Sequence, residues 1–204
     1  MRDPADRHHA AGVVVVIVGV LLAAGGATRF GSQKLIAPYR GEPLVCHAAR
    51  LLRSVTDETI AIIGNDAEAV RDALAAVDVR IVENSEWREG LSTSLRAGIR
   101  AVPATAEAVV VALGDQPAID PAVARALVEQ WRATGLPIVT ARYRGVRSPP
   151  VLIARDVFSE VEALHGDSGA KPLMDRIPGR VAFVDIDTPV PFDVDTPTDL
   201  DRES

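Results

Sequence analysis

Ten consecutive residues without a polar side chain, Val13 to Leu22, run straight into Ala23-Ala24-Gly25-Gly26-Ala27-Thr28-Arg29-Phe30-Gly31-Ser32-Gln33-Lys34-Leu35. A run this short does not span a bilayer as a helix. An unbroken valine-rich run ending in glycines is what a strand buried on both faces of a parallel sheet looks like. Arg2 and Arg7 ahead of the run imitate the start of a secretory leader, but Asp3 and Asp6 offset them. The expectation is a buried strand after a disordered extension over residues 1–12.

Strand-like and helix-like segments then alternate. Glu42 to Val55 puts Leu44, Val45, Ala48, Leu51, Leu52 and Val55 on one helical face, and Thr59 to Ile63 reads as the next strand. Asn65 or Asp66 can cap a helix carrying Val70, Leu74 and Val77, followed by a strand at Val79 to Val82. A helix over Ser92 to Val102 precedes the continuous apolar strand Ala108 to Leu113. Asp120-Pro121 then supplies an N-cap with proline in the first helical position, for a helix reaching about Trp131. Ile138 to Thr140, Val151 to Ile153 and Val181 to Ile186 are further strands, with helices at Asp156 to Leu164 and around Ala170 to Arg176. This alternation predicts one α/β domain over residues 13–204, with a mostly parallel sheet covered on both faces. Ligands in such folds bind beyond the carboxyl ends of the strands.

Composition narrows the function. The formal net charge of -6 excludes a general nucleic-acid binder, because no basic face is available to neutralise a phosphate backbone. An anionic ligand needs a local basic pocket instead. Of 22 basic residues only Lys34 and Lys171 are lysine, and both stand in glycine-bearing motifs. The single cysteine, Cys46, cannot form an intramolecular disulfide, which points to a reducing, cytoplasmic setting.

The glycine-rich loop suits a polyphosphate, since Gly25 and Gly26 allow close backbone approach while Arg29 and Lys34 supply charge. Its spacing matches neither common phosphate motif. Gly25, Gly26 and Gly31 do not give the first, third and sixth positions of the dinucleotide fingerprint, and Ser32-Gln33 stand where the Walker loop needs lysine and a hydroxyl.

The full string Leu22 to Lys34 nevertheless resembles the signature of the nucleotidyltransferases related to the molybdenum cofactor cytidylyl- and guanylyltransferases, with Phe30 where methionine is usual. Later segments match in the same order. Asn84-Ser85-Glu86-Trp87-Arg88-Glu89-Gly90-Leu91-Ser92-Thr93-Ser94-Leu95 resembles the family's segment that closes over the nucleotide. Leu113-Gly114-Asp115-Gln116-Pro117 and the closing motif Phe192-Asp193-Val194-Asp195-Thr196-Pro197-Thr198-Asp199-Leu200 resemble its two carboxylate motifs, and Gly166-Asp167-Ser168-Gly169-Ala170-Lys171 a motif of the cytidylyl branch.

The resemblance implies a three-layer, Rossmann-like α/β/α nucleotidyltransferase fold. It implies catalytic roles for Arg29, Lys34 and Asp115, and nucleotide contacts from Leu22, Ala23, Ala24, Gly25, Gly26, Arg29, Lys34, Asn84, Gly90, Ser92 and Ser94. It also implies Mg2+ held by Asp115 and Asp195, with Asp193 the fallback and Asp187 a decoy in a similar Asp-Thr-Pro string. On the acceptor side it implies Arg147, Asp167 and Lys171, within a stretch where Arg132, Arg142, Arg144, Arg147 and Arg155 occur without an acid between Trp131 and Arg155. Ala23-Ala24 resembles the cytidylyl branch, so CTP is expected over GTP, and a methyl at Ala24 would reduce the room for a purine. The implied acceptor is molybdopterin or another phosphorylated small molecule, and the implied protein partner a molybdoenzyme or its chaperone. Neither nucleic acid nor a membrane is expected as a partner. The family's Gly-x-Pro-Val stretch is replaced here by Arg147-Ser148-Pro149-Pro150-Val151, so the match is weakest on the acceptor side.

Overall fold

The computed structural model describes residues 15–26 and 30–201. Among these residues the strands are β1 (Val16–Ala23), β2 (Pro38–Tyr39), β3 (Glu42–Pro43), β4 (Glu58–Ile63), β5 (Arg80–Glu83), β6 (Ala106–Leu113), β7 (Ile138–Tyr143), β8 (Val146–Ala154) and β9 (Val181–Ile186). The α-helices are α1 (Leu44–Arg53), α2 (Ala67–Ala73), α3 (Leu91–Ala101), α4 (Pro121–Thr134), α5 (Phe158–Glu162) and α6 (Lys171–Arg176). The expected extension over residues 1–12 lies outside the described residues.

Seven strands form one sheet in the order β5-β4-β1-β6-β8-β7-β9. β1 pairs in parallel with β4 and β6, β4 with β5, and β7 with β9, whereas β8 runs antiparallel to both its neighbours. The expected three-layer, mostly parallel α/β architecture is therefore what the chain adopts. The period of two along β1 builds the layers. Ile17, Leu21 and Ala23 share a core with Val45 and Leu52 of α1, Val70 of α2 and Leu127 of α4. Val18, Val20 and Leu22 share the opposite core with Leu95 and Ile99 of α3, Val161 of α5 and Met174 of α6. Side chains such as Leu21, Leu52 and Ile62 are fully buried, each contributing about 1.5–3 kcal/mol relative to exposure. A rigid central sheet is the result, and it fixes where the connecting loops emerge.

Local differences from the sequence expectation have identifiable causes. Helix α1 starts at Leu44, because Glu42-Pro43 is drawn into a small hairpin with Pro38-Tyr39 across the Arg40-Gly41 turn, where both residues have positive φ. Asp66 precedes α2 in the left-handed region and makes no side-chain cap bond. Asp120 does cap α4, accepting the Ala122 N–H at 2.7 Å. β7 and β8 extend well past the predicted apolar centres, to a two-residue turn at Arg144-Gly145. Hydrophobic periodicity misses such ends because Arg142, Arg147 and Ser148 are polar and half or fully exposed. Cys46 is buried and donates its thiol to the Ala73 carbonyl, as a small core residue would.

Candidate active site

The carboxyl ends of β1, β4 and β6 are adjacent, so the segments that follow them converge. Ala24 accepts the Asn65 N–H at 3.0 Å through its carbonyl, and Leu22 that of Gly114 at 3.0 Å. Gln33, buried behind the glycine-rich loop, donates to the Asn65 carbonyl at 2.8 Å and accepts from its own neighbour Leu35 N–H at 3.3 Å. These bonds hold Lys34, at the start of a short 3-10 turn over Lys34–Ile36.

The Lys34 ammonium donates to Asp115 Oδ2 at 2.7 Å and to Asp195 Oδ1 at 3.3 Å. Residues 81 and 161 positions away in the chain thus meet on one cation. Asp115 follows β6 through Gly114. Asp195 is brought in because Val194 is completely buried beside Tyr39 and Leu44 and its N–H donates to the Asp115 carbonyl. Burial alone pulls the Lys34 ammonium down, but attraction and hydrogen bonding from Asp115, then Asp195, outweigh it and the net pKa is raised. Lys34 therefore stays cationic throughout the neutral range.

Asp193 faces elsewhere, accepting from Gln116 Nε2 at 2.7 Å. Burial pushes its carboxyl up, the Gln116 bond opposes this, and Asp115 and Asp195 add to the rise. Among the described residues Asp187 pairs only with Arg144, at 3.2 Å on the surface. Asp199 is a residue that motif matching did not single out: its buried carboxylate accepts from the Asp195 N–H, the Thr196 N–H and the Thr196 hydroxyl, clasping the turn that presents Asp195. Its Asp-Leu setting in the closing motif was the available signal.

Gly25, Gly26, Gln33, Trp87, Gly90 and Ser94 are among the residues lining a cleft of about 1110 Å³. Gly26 approaches closely there, since a Cβ would lie 3.0 Å from the Trp87 ring and the ring would have to give way. Asn84 sits behind the wall, donating to the Thr93 and Ser94 hydroxyls at 2.8 and 3.0 Å and accepting the Glu86 N–H at 3.0 Å. The Ser92 side chain is buried inward, and the first amides of α3 are not open to an anion in the cleft. Those of Leu91, Ser92 and Thr93 go to Asp167 Oδ1, the Gly166 carbonyl and the Gly90 carbonyl. Leu22, Ala23 and Ala24 are buried in the core, and the Ala24 methyl packs against Gly64 instead of lining the cleft. Ala24 therefore takes no room from a purine in that cleft. Arg29 lies outside the described residues.

A second cleft, of about 410 Å³, carries Arg147, Asp167 and Lys171 among apolar walls that include Leu22, Leu95 and Met174. Of the five arginines in the acid-free stretch, only Arg147 lines it. Arg142 and Arg144 pair with Asp185 and Asp187, and Arg155 donates to the Ala106 and Pro103 carbonyls. Strand alternation and the hairpin turn scatter what looked like one basic patch. Leu91 and Asp167 line both clefts.

The family model for the MobA-like NTP transferase domain matches residues 19–181. The chain belongs to this family. It is an NTP-dependent nucleotidyltransferase of MobA-like type, a class whose members act on an NTP and a phosphorylated acceptor. Among its relatives, nicotine blue oxidoreductase of Paenarthrobacter nicotinovorans is 33% identical over 88% of this chain and 92% of that protein. Rv0371c of Mycobacterium tuberculosis, solved in complex with manganese, is 34% identical and superimposes with a TM-score of 0.75 over 91% of this chain and 96% of that one. A nucleotidyl transferase from Methanothermobacter gives 27% identity and a TM-score of 0.76 over 90% of this chain and 94% of that one. These likenesses support the MobA-like domain as a whole, and the expected affiliation narrows to that level without selecting the cytidylyl branch. No helix among the described residues is long and apolar enough to cross a membrane.

Proposed function

We propose that this MobA-like protein transfers CMP from CTP to the terminal phosphate of molybdopterin in the cytoplasm, releasing pyrophosphate, before the product passes to a molybdoenzyme or its chaperone. The observation that carries the transfer reading is the Lys34 ammonium held between Asp115 and Asp195 at 2.7 and 3.3 Å. The choice of CTP rests on the Ala23-Ala24 string, and that of molybdopterin on the family resemblance and on Arg147 and Lys171 in the second cleft.

The two aspartates fit Mg2+. Asp115 Oδ1 is buried and has no hydrogen-bond partner among the described residues, and carboxylate oxygens are the donors a hard cation selects. Among the described residues no three His, Cys, Asp or Glu side chains form a group able to hold a metal, so phosphate oxygens and water would complete the shell. The manganese complex of Rv0371c supports a divalent ion here. When bound, such an ion neutralises phosphate charge.

An acceptor phosphate oxygen is already anionic at neutral pH, so no protein base is needed. That oxygen forms a bond to the α-phosphorus while the bond from the α-phosphorus to the bridging oxygen breaks, and the electron pair leaves on pyrophosphate. Lys34 stabilises charge on the α-phosphate and acceptor, Arg29 and the backbone of Gly25 and Gly26 hold the leaving phosphates, and Ser94 contributes its hydroxyl. Asn84 acts by fixing Ser94.

The test presents CTP, GTP, ATP and UTP in turn, with magnesium and molybdopterin, and follows pyrophosphate. Release with CTP is expected. Release with GTP alone would move the base assignment, and none with any nucleotide would end the transfer reading. The 33% identity to a protein named as an oxidoreductase favours one second reading, a redox reaction at the apolar second cleft. Oxidation of NAD(P)H by the protein with a quinoid dye would favour that reading over transfer.

A further inference from the structure

We propose that Arg88 is a nucleotide-binding residue, holding the β- and γ-phosphates from the turn between β5 and α3. This rests on the nucleotidyltransferase reading of the larger cleft and adds a cation to it. Arg88 belongs to a 3-10 turn over Trp87–Glu89 and lines the same cleft as Gly25 and Gly26. Its guanidinium carbon lies 4.2 Å from the centroid of the Trp87 ring. Stacking of this kind orients the guanidinium plane and leaves its edge N–H groups available to a planar or tetrahedral anion.

The platform is itself immobilised. A Cβ on Gly26 or Gly64 would come within 3.0 and 2.9 Å of Trp87 atoms, so the ring is wedged against the two backbones that frame the loop. The other arginines nearby are engaged: Arg96 donates to the Leu164 carbonyl and lies 3.6 Å from Glu86, and Arg100 is bound by both oxygens of Glu162. Arg88 makes no ion pair or hydrogen bond among the described residues, and its side chain is exposed.

Charge makes the point sharper. The other charged side chains on the described wall of the cleft are Asp66, Glu89 and Asp167, all acidic. A triphosphate entering this wall meets repulsion that Arg88 alone, among the described residues lining it, offsets. In a chain of net charge -6, long-range attraction does not supply the difference.

Calorimetric titration of the intact protein with CTP, GTP, pyrophosphate and CMP, in magnesium and without acceptor, tests this role of Arg88. Arg88→Gln is expected to weaken CTP and pyrophosphate by about tenfold or more while leaving CMP unchanged, as loss of a charge-assisted phosphate bond requires. Arg88→Lys should recover part of the loss, since it keeps the charge without the fork. Unchanged CTP affinity in Arg88→Gln overturns the proposal, and so does an equal loss for CTP and CMP, which would put Arg88 on the nucleoside. A wild-type protein that binds neither CTP nor GTP would instead overturn the nucleotidyltransferase reading beneath it.

Discussion

The two clefts that meet at Leu91 and Asp167 are built from different materials. The larger is walled by glycine backbone, short polar side chains and one stacked aromatic, following the parallel strands β1, β4 and β5. The smaller is walled by core side chains such as Leu22, Leu95, Val111 and Met174, and sits where β8 reverses the strand direction. A backbone wall offers N–H groups to any polyphosphate, whatever its base. A side-chain wall is shaped by each residue, so the smaller cleft, proposed for the acceptor, should be the more sensitive of the two to substitution.

The strongest test lies at Lys34 and Asp115, where the proposed mechanism joins the two substrates. Lys34→Ala or Asp115→Ala should reduce turnover by on the order of 10² or more, measured as pyrophosphate release at saturating substrates. Near-normal turnover of Asp115→Ala with magnesium present would remove Asp115 from the proposed metal site.

Next in size is the joint between the clefts. Gly90 has φ 111°, and a Cβ there would lie 2.5 Å from the Gly166 carbonyl carbon. Gly90→Ala should cost roughly 2–4 kcal/mol in urea unfolding, and raise KM for both substrates because it pushes the 166–167 segment off α3. An unchanged urea midpoint would show that this contact is soft.

Arg147→Ala should separate the clefts. Its pair with Asp175, at 2.8 Å, is partly exposed on both sides, so little stability is at stake. The expected result is an acceptor KM raised by about tenfold with NTP affinity unchanged. Equal losses for both substrates would contradict the division.

The effect that is smallest at neutral pH concerns Tyr143, near the hairpin turn that reaches Arg147. Burial, with a contribution from Asp120, pushes its phenol up to about 12, against an ordinary value near 10. The folded state keeps a proton that the unfolded chain releases, so this contribution to stability is full below about pH 10 and lost as pH rises toward 12. Tyr143→Phe should therefore flatten the alkaline fall in stability, by at most about 2 kcal/mol, as measured by unfolding at pH 9 to 12. An identical fall in the variant would assign the alkaline loss to other groups.

Much of the fold was legible because its strands are unbroken apolar runs. Val181–Ile186 has the bounds its letters suggest, and β6 gains only two residues on the predicted Ala108 to Leu113. The β7–β8 hairpin was half legible. Its polar outer ends pair through backbone groups that side-chain periodicity does not report. Around the site, the motifs marked the segments but not the direction of each side chain. Asn84 and Ser92 turn inward, Ala24 packs on Gly64, and the amides of α3 are taken by Gly166 and Asp167.

By itself the sequence determined the alternating α/β order and the glycine loop after the first strand, since burial pattern and backbone permissiveness are local properties of the chain. Only the tertiary structure decided that Lys34 meets Asp115 and Asp195, that Arg147 alone of its arginine-rich stretch reaches the smaller cleft, and that Arg88 stands on Trp87 in the larger one. Those outcomes depend on strand order and loop packing, which bring distant residues together and pair off most of the charges between them.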